Sequence, residues 1–285
     1  MTRPIAAIGL LALSLSTASS AANSVRGSGN SKREARRVDS FDAVAVHAGI
    51  HVNISAGDQS VEVKADDNVL PLVRTEVVDG VLEIGFVKKS WTDSFRMIDG
   101  SVEVTVHTPR LRGVNASGGA EAKVDATTEA NVRLQSSGGS HVSVDRAAAR
   151  TLRIDASGGA TVDAGGIDAD DLRAHDSGGA VLSLTGRAQR AELEFSGGTT
   201  VKARSLAVQD LDVSGSGGGE ARLRSADSIR GRLSGGSTLH VGGSPKAKVN
   251  TSGGSEVVYE DGRRDRGSRD EDRRGRSHDR DDDDD

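Results

Sequence analysis

The sequence predicts an all-β protein: a right-handed parallel β-helix with about 18–20 residues per rung, Ser-Gly-Gly corners and an N-terminal β-rich capping segment. Three observations lead there. The triplet Ser-Gly-Gly returns eight times, starting at Ser117, Ser137, Ser157, Ser177, Ser196, Ser216, Ser234 and Ser252, at intervals of 20, 20, 20, 19, 20, 18 and 18 residues. A cadence so regular marks a solenoid. On both sides of each triplet small apolar residues alternate with polar ones, the period of a strand with one buried face. Finally, 36 glycines and only six aromatic residues in 285 set the chain apart from ordinary globular domains.

The first element is an export signal over residues 1–22. Arg3 supplies a basic start, Ile5 to Leu15 an apolar stretch of suitable length, and Ala18-Ser19-Ser20-Ala21-Ala22 a small-residue cleavage tract. The mature protein is therefore expected to be periplasmic, secreted or associated with the cell surface. Cysteine is absent. That excludes a disulfide framework, Cys-ligated zinc, an iron–sulfur cluster, a thiol nucleophile and a lipidated N-terminal cysteine.

Residues 23–110 carry strands without the triplet. Alternating runs occur at Val44 to Ile54, Val61 to Ala65, Leu82 to Phe86 and Val102 to Val106, and Asp79-Gly80 reads as a tight turn. Such a segment can close one end of a coil, where the last rung would expose an edge.

Residues 111–260 hold the repeats and form one continuous domain with 23–110. Three, five and seven residues after the serine come Ala120, Ala122 and Val124 in the first copy, and Ala180, Leu182 and Leu184 in the fourth. Before the serine, Leu152 and Ile154 flank Arg153, and Leu193 and Phe195 flank Glu194. Because inward residues keep the same offsets in every copy, stacked rungs align like on like, which hairpin meanders rarely do. Helical repeats fail, since a central glycine costs about 1 kcal/mol in each. The small inward residues predict a thin coil of two close sheets with no interior room for a ligand. Residues 261–285 hold eight arginines and eleven acids with almost nothing apolar, so this tail is expected to be disordered.

A family resemblance rests on the order of several short segments. Val25-Arg26-Gly27-Ser28-Gly29-Asn30 is followed by Arg37-Val38-Asp39-Ser40-Phe41-Asp42, by Asp66-Asp67-Asn68-Val69-Leu70-Pro71, by Asp79-Gly80-Val81-Leu82-Glu83-Ile84, and by Thr108-Pro109-Arg110-Leu111 running into the first triplet. This order, with the eight corners, resembles the auto-transporter adhesin head domain known as the GIN domain, over roughly residues 25 to 260. The resemblance implies an exported β-helix shaped like pectin lyases and a role in adhesion. It brings no catalytic residues. A C-terminal membrane barrel, as in a full autotransporter, is not found in this sequence.

Chemistry is sparse. Asp125, Asp145, Asp155 and Asp163 could supply the clustered acids of a polysaccharide-cleaving β-helix, but no acidic row persists, since Arg204 and Arg224 take the later positions. His47 and His51 lie four apart, too far along one strand for a shared metal. His175-Asp176-Ser177 is not a triad, because neighbours in a strand face opposite ways. Gly215-Ser216-Gly217-Gly218-Gly219 lacks the lysine and helix of a phosphate loop and is another corner. The exposed-aromatic candidates are Trp91 and Phe95, which either pack in the core or cap or make the loop from Lys88 to Asp99 the binding epitope outside the long flat faces of the coil.

The expected function is that of an exported, non-enzymatic binding protein, an adhesin or envelope-associated interaction module. The alternatives are a pectin-lyase-like enzyme acting on polysaccharide and a structural envelope protein without a specific ligand. No catalytic residue, metal site or cofactor is expected. The partner would be an extracellular or envelope protein or glycan, and homo-oligomerisation stays open. A net charge of -5 gives no reason to expect nucleic acid, and no apolar run reaches the roughly 18 residues of a membrane span.

Overall fold

The chain stacks its strands into a parallel β-helix, seen in a computed structural model that describes residues 25–87 and 98–260. The proposed signal, the tail, and Trp91 and Phe95 lie outside the described residues. No described helix is long and apolar enough to cross a membrane.

The repeat region begins with β10 (Gly113–Ser117) and β11 (Glu121–Ala126), joined by the first corner; β12 (Asn131–Ser137), β13 (His141–Arg146) and β14 (Ala148–Ser157) follow. From there the strands run through the rungs as β15 (Thr161–Gly178), β16 (Val181–Gly197), β17 (Thr200–Gly217) and β18 (Glu220–Leu233). The coil ends with β19 (Thr238–Val241), β20 (Lys246–Thr251) and β21 (Glu256–Tyr259). All pairings among these strands are parallel, and equivalent residues stack in register. Val114, Leu134, Ile154, Ala174, Leu193 and Val213 make one inward column, and Ala122, Val142, Val162, Leu182, Val201, Ala221 and Leu239 another. All are buried in one continuous core. The offsets that alternate in the sequence are the inward ones.

The centre of the coil is three-sided, where two sheets were expected. The return segments also pair, Asp168 with Arg187 and Ala169 with Ala188, then Ala207 with Ser225. Ile167, Ala169, Ala188, Leu206, Val208 and Ala226 turn inward from this third face. Register breaks beside Gly165 and Gly166 disguise the strand in the sequence as a loose turn.

Corners come in two forms. At Gly118-Gly119 and Gly138-Gly139 both glycines have positive φ, the requirement of a tight two-residue turn. At Gly178-Gly179 and Gly197-Gly198 only the first does, and the second donates its N–H to the rung beneath: Gly179 to the Gly158 carbonyl at 2.8 Å and Gly198 to that of Gly178 at 2.8 Å. A Cβ on Gly197 would lie 2.6 Å from the Gly178 carbonyl oxygen. Glycine there satisfies both the backbone angle and the stacking.

The N-terminal segment contributes rungs as well as an end. It comprises β1 (Val25–Arg26), β2 (Ser31–Arg36), β3 (Ala43–His47), β4 (His51–Ala56), β5 (Ser60–Asp66), β6 (Val73–Val78), β7 (Val81–Phe86), β8 (Ile98–Asp99) and β9 (Glu103–Thr108). Strands β3 and β4 pair in parallel with β10 and β11, placing His47-Ala48-Gly49 in register with Ser117-Gly118-Gly119. This is a ninth corner, concealed because Ala48 occupies the left-handed region at φ 60. Strands β7 and β9 lie beyond it, so the chain passes outward and then returns to the far side of its own first rung. Antiparallel β6, β5 and β2 finish the two sheets, with Asp79-Gly80 turning β6 into β7. The outermost strand, Ser31-Lys32-Arg33-Glu34-Ala35-Arg36, is exposed and charged, which discourages edge-to-edge pairing.

Candidate binding face

Residues one and three places before the inward-facing neighbour of each serine point outward, and stacking turns them into columns. One column runs Asn115, Gln135, Asp155, His175, Glu194, Ser214, Arg232 and Asn250; beside it run Gly113, Arg133, Arg153, Arg173, Glu192, Asp212, Arg230 and Lys248. The corner serines form a third. Between the serines and the first column lies an open groove of ≈ 630 Å³, lined by Asn115, Gln135, Asp155, His175, Glu194 and the serines from Ser137 to Ser216. A second groove of ≈ 410 Å³ continues toward Arg230, Arg232, Lys248 and Asn250, sharing Glu194 and Ser214 with the first. Rungs about 4.8 Å apart therefore present polar groups as an evenly spaced ladder along the coil.

In the first groove the outward-facing charged groups neutralise one another. Asp155 accepts from Arg133 Nε at 3.1 Å and from Arg153 Nε at 3.1 Å. Burial pushes its carboxyl up, but the two arginines outweigh that and hold it below the ordinary carboxylate range. His175 Nδ1 meets Glu194 at 2.8 Å. An acid locked between two guanidinium groups is a poor general base or calcium ligand.

The other candidate acids do not converge on the groove. Asp163 meets His141 at 2.8 Å, while Asp125 and Asp145 stand side by side at exposed strand ends. Among the described residues no three His, Asp or Glu side chains come together as a metal cage. His47 and His51 are not on one strand, as their spacing suggested; the Ala48-Gly49 turn separates them, and they bridge to Glu83 at 3.0 Å and Glu121 at 2.9 Å.

The hidden rung creates one constellation that the sequence concealed. His47 Nδ1 lies 2.6 Å from Ser117 Oγ, and its Nε2 lies 3.0 Å from Glu83. A corner serine thus does have a histidine and an acid in line. The same histidine-to-carboxylate bridge recurs across rungs at His51, His141, His175 and His240 without a serine, so it is a general device of this coil for pairing outer side chains. Neither of the two grooves includes Ser117.

Asp176 is the other feature missed. His175 and Ser177 face outward, and Asp176 faces inward in the column Ala116, Ser136, Ala156, Asp176, Phe195. It is 3% exposed, and neither carboxylate oxygen finds a side-chain hydrogen-bond partner. Burial pushes it up to about 7, with the Ser177 amide opposing. The signal was available: an acid stands where the other copies have Ala, Ser, Phe, Gly, Leu or Thr.

The glycine-rich stretch at 215–219 also has a packing cause. A Cβ on Gly215 would meet the Phe195 ring at 2.5 Å and one on Gly219 would meet it at 2.8 Å, so both glycines make room for that ring.

The model of the family described as putative auto-transporter adhesin, head GIN domain, matches residues 40–245. The chain belongs to this family. Solved structures share its fold. A putative adhesin from Parabacteroides distasonis superposes with a TM-score of 0.75 at 22% identity, covering 83% of this chain and 99% of that one. A putative adhesin from Parabacteroides merdae gives 0.71 at 19% identity, covering 84% and 99%. A putative lipid binding protein from Parabacteroides distasonis gives 0.73 at 18%, covering 83% and 99%. A search of curated proteins finds no match.

Proposed function

We propose that this GIN-domain protein is exported and binds an extended polar ligand, a surface glycan, along its outer face without catalysing a reaction. The observation that carries this reading is the first groove: an open, rung-spaced array of Asn, Gln and Ser groups whose outward-facing charged members, Asp155, His175 and Glu194, are already paired. Hydroxyl and amide side chains at fixed intervals suit a ligand that repeats along its length. The adhesin family and the adhesins among its structural relatives agree with a surface-binding role.

The test is a glycan array probed with the full chain and with Ser157→Arg and Ser177→Arg, which fill the groove from outward positions. Binding by the wild type that both variants lose is the expected result. Equal binding by all three proteins would move the site elsewhere. Labelling of Ser117 by a fluorophosphonate probe, blocked by His47→Ala, would instead speak for an enzyme; no labelling is expected.

A further inference from the structure

We propose that Arg230, Arg232 and Lys248 form a subsite for the carboxylate or phosphate groups of an acidic glycan. This rests on the reading of the outer face as a glycan-binding surface and adds the charge of the ligand.

The two charged columns of that face divide into unlike halves. Toward the N-terminal end every cation has an acid: Arg133 and Arg153 share Asp155, Arg173 pairs with Glu192, and His175 pairs with Glu194. Toward the C-terminal end Arg230, Arg232 and Lys248 have no hydrogen bond or ion pair among the described residues. All three are exposed. Arg230 and Lys248 are also direct register partners on β18 and β20, so two like charges face each other across one rung spacing. Like charges directly opposite are unfavourable in a sheet. Arg232 is two residues along the same strand from Arg230, about 7 Å away and on the same side.

These three cations line the second groove with Asn250 and Ser214, which add neutral polar groups. Asp212 stands in register beneath Arg230 without pairing with it, and Glu192 and Glu194 on the far wall are engaged by Arg173 and His175. An oxyanion held between Arg230 and Lys248 would relieve their repulsion, and Arg232 would meet a second anionic group farther along. Guanidinium groups suit this role through paired N–H donors. Because the grooves share Glu194 and Ser214, one chain can lie in the serine-lined groove and place its acidic groups here.

The experiment uses the full chain with immobilised polygalacturonate as the acidic probe, dextran as a neutral chain and phosphatidylglycerol vesicles as a lipid source. R230Q/R232Q/K248Q is compared with R187Q/R190Q/K202Q, which removes the same charge from other parts of the coil and leaves the arginine-rich tail intact. Polygalacturonate binding should weaken at least about tenfold in the first triple variant and stay within about twofold in the second, with a shallower salt dependence in the first. Arg232→Gln alone, at an exposed position, should weaken it about threefold and serves if the triple variant melts early. Equal loss in both triple variants, no loss, no polygalacturonate binding, or site-dependent capture by vesicles alone would overturn the proposal. Dextran binding that survives the first triple variant while polygalacturonate fails to bind sinks only this inference; binding of no glycan sinks the proposed function with it.

Discussion

The first rung and the central rungs fold the same motif by different means. At His47-Ala48-Gly49 an alanine accepts a left-handed backbone, and its N–H donates to the Ser117 carbonyl of the neighbouring rung at 3.2 Å. At the corners of Gly178 and Gly197 the second glycine donates the bond to the rung beneath, and a side chain on the first would strike a carbonyl of that rung. The corner next to the first rung is looser: a Cβ on Gly118 would lie 3.4 Å from Ala48 N, against 2.6 Å between one on Gly197 and the Gly178 oxygen. Stack position, and not the turn alone, decides how strictly glycine is required.

The largest expected break in this comparison is electrostatic and lies in the central rungs. Asp176 has a folded pKa of about 7 against an ordinary value of 3.8. Between those values the folded state keeps a proton that the unfolded chain has released, so stability falls as pH rises from about 4 to about 7 and levels off above. Asp176→Asn should remove this dependence. It should match the wild type near pH 4 and exceed it by roughly 2–4 kcal/mol at pH 8 in denaturant titrations. Parallel pH profiles for the two proteins would show that water or a partner satisfies the carboxylate.

Next in size is Gly197→Ala. Its Cβ would meet the Gly178 oxygen at 2.6 Å in a left-handed backbone, and a loss of about 2–3 kcal/mol is expected. A melting temperature equal to that of the wild type would mean the corner can shift. Gly215→Ala should cost roughly 1–3 kcal/mol by crowding the Phe195 ring. Phe195→Leu in the same chain should restore part of that; additive losses would point to another cause. The smallest effect sharpens the comparison from the other side: Ala48→Gly should stabilise by up to about 1 kcal/mol, since it relieves a left-handed alanine. Destabilisation by that change would show that unfolded-state entropy outweighs backbone strain there.

Much of the coil is legible in the chain because solenoid contacts are local in kind. Each rung meets copies of itself, so the offsets of Ala122, Val142 and Val162 from their serines define the buried column without knowledge of distant partners. Where that symmetry fails, legibility fails too. The third face was hidden by Gly165-Gly166 and its register break, and the first rung by Ala48. The candidate face was less visible still. Asn115, Gln135, Asp155 and His175 share an offset but no residue type, so only stacking reveals them as one surface. The aromatic residues that stand out in the sequence, Trp91 and Phe95, lie outside the described residues.

By itself the amino-acid order determined a stacked β-coil, its glycine bends and its inward columns, because period-two alternation repeated every 18–20 residues satisfies burial and backbone pairing together only in that arrangement. Tertiary structure alone decided which charges neutralise one another, why Asp176 is stranded, and why Arg230 and Lys248 share an edge. Those outcomes depend on which residues, some 18 to 70 positions apart in sequence, become neighbours about 4.8 Å apart in space, and electrostatic energy follows that distance.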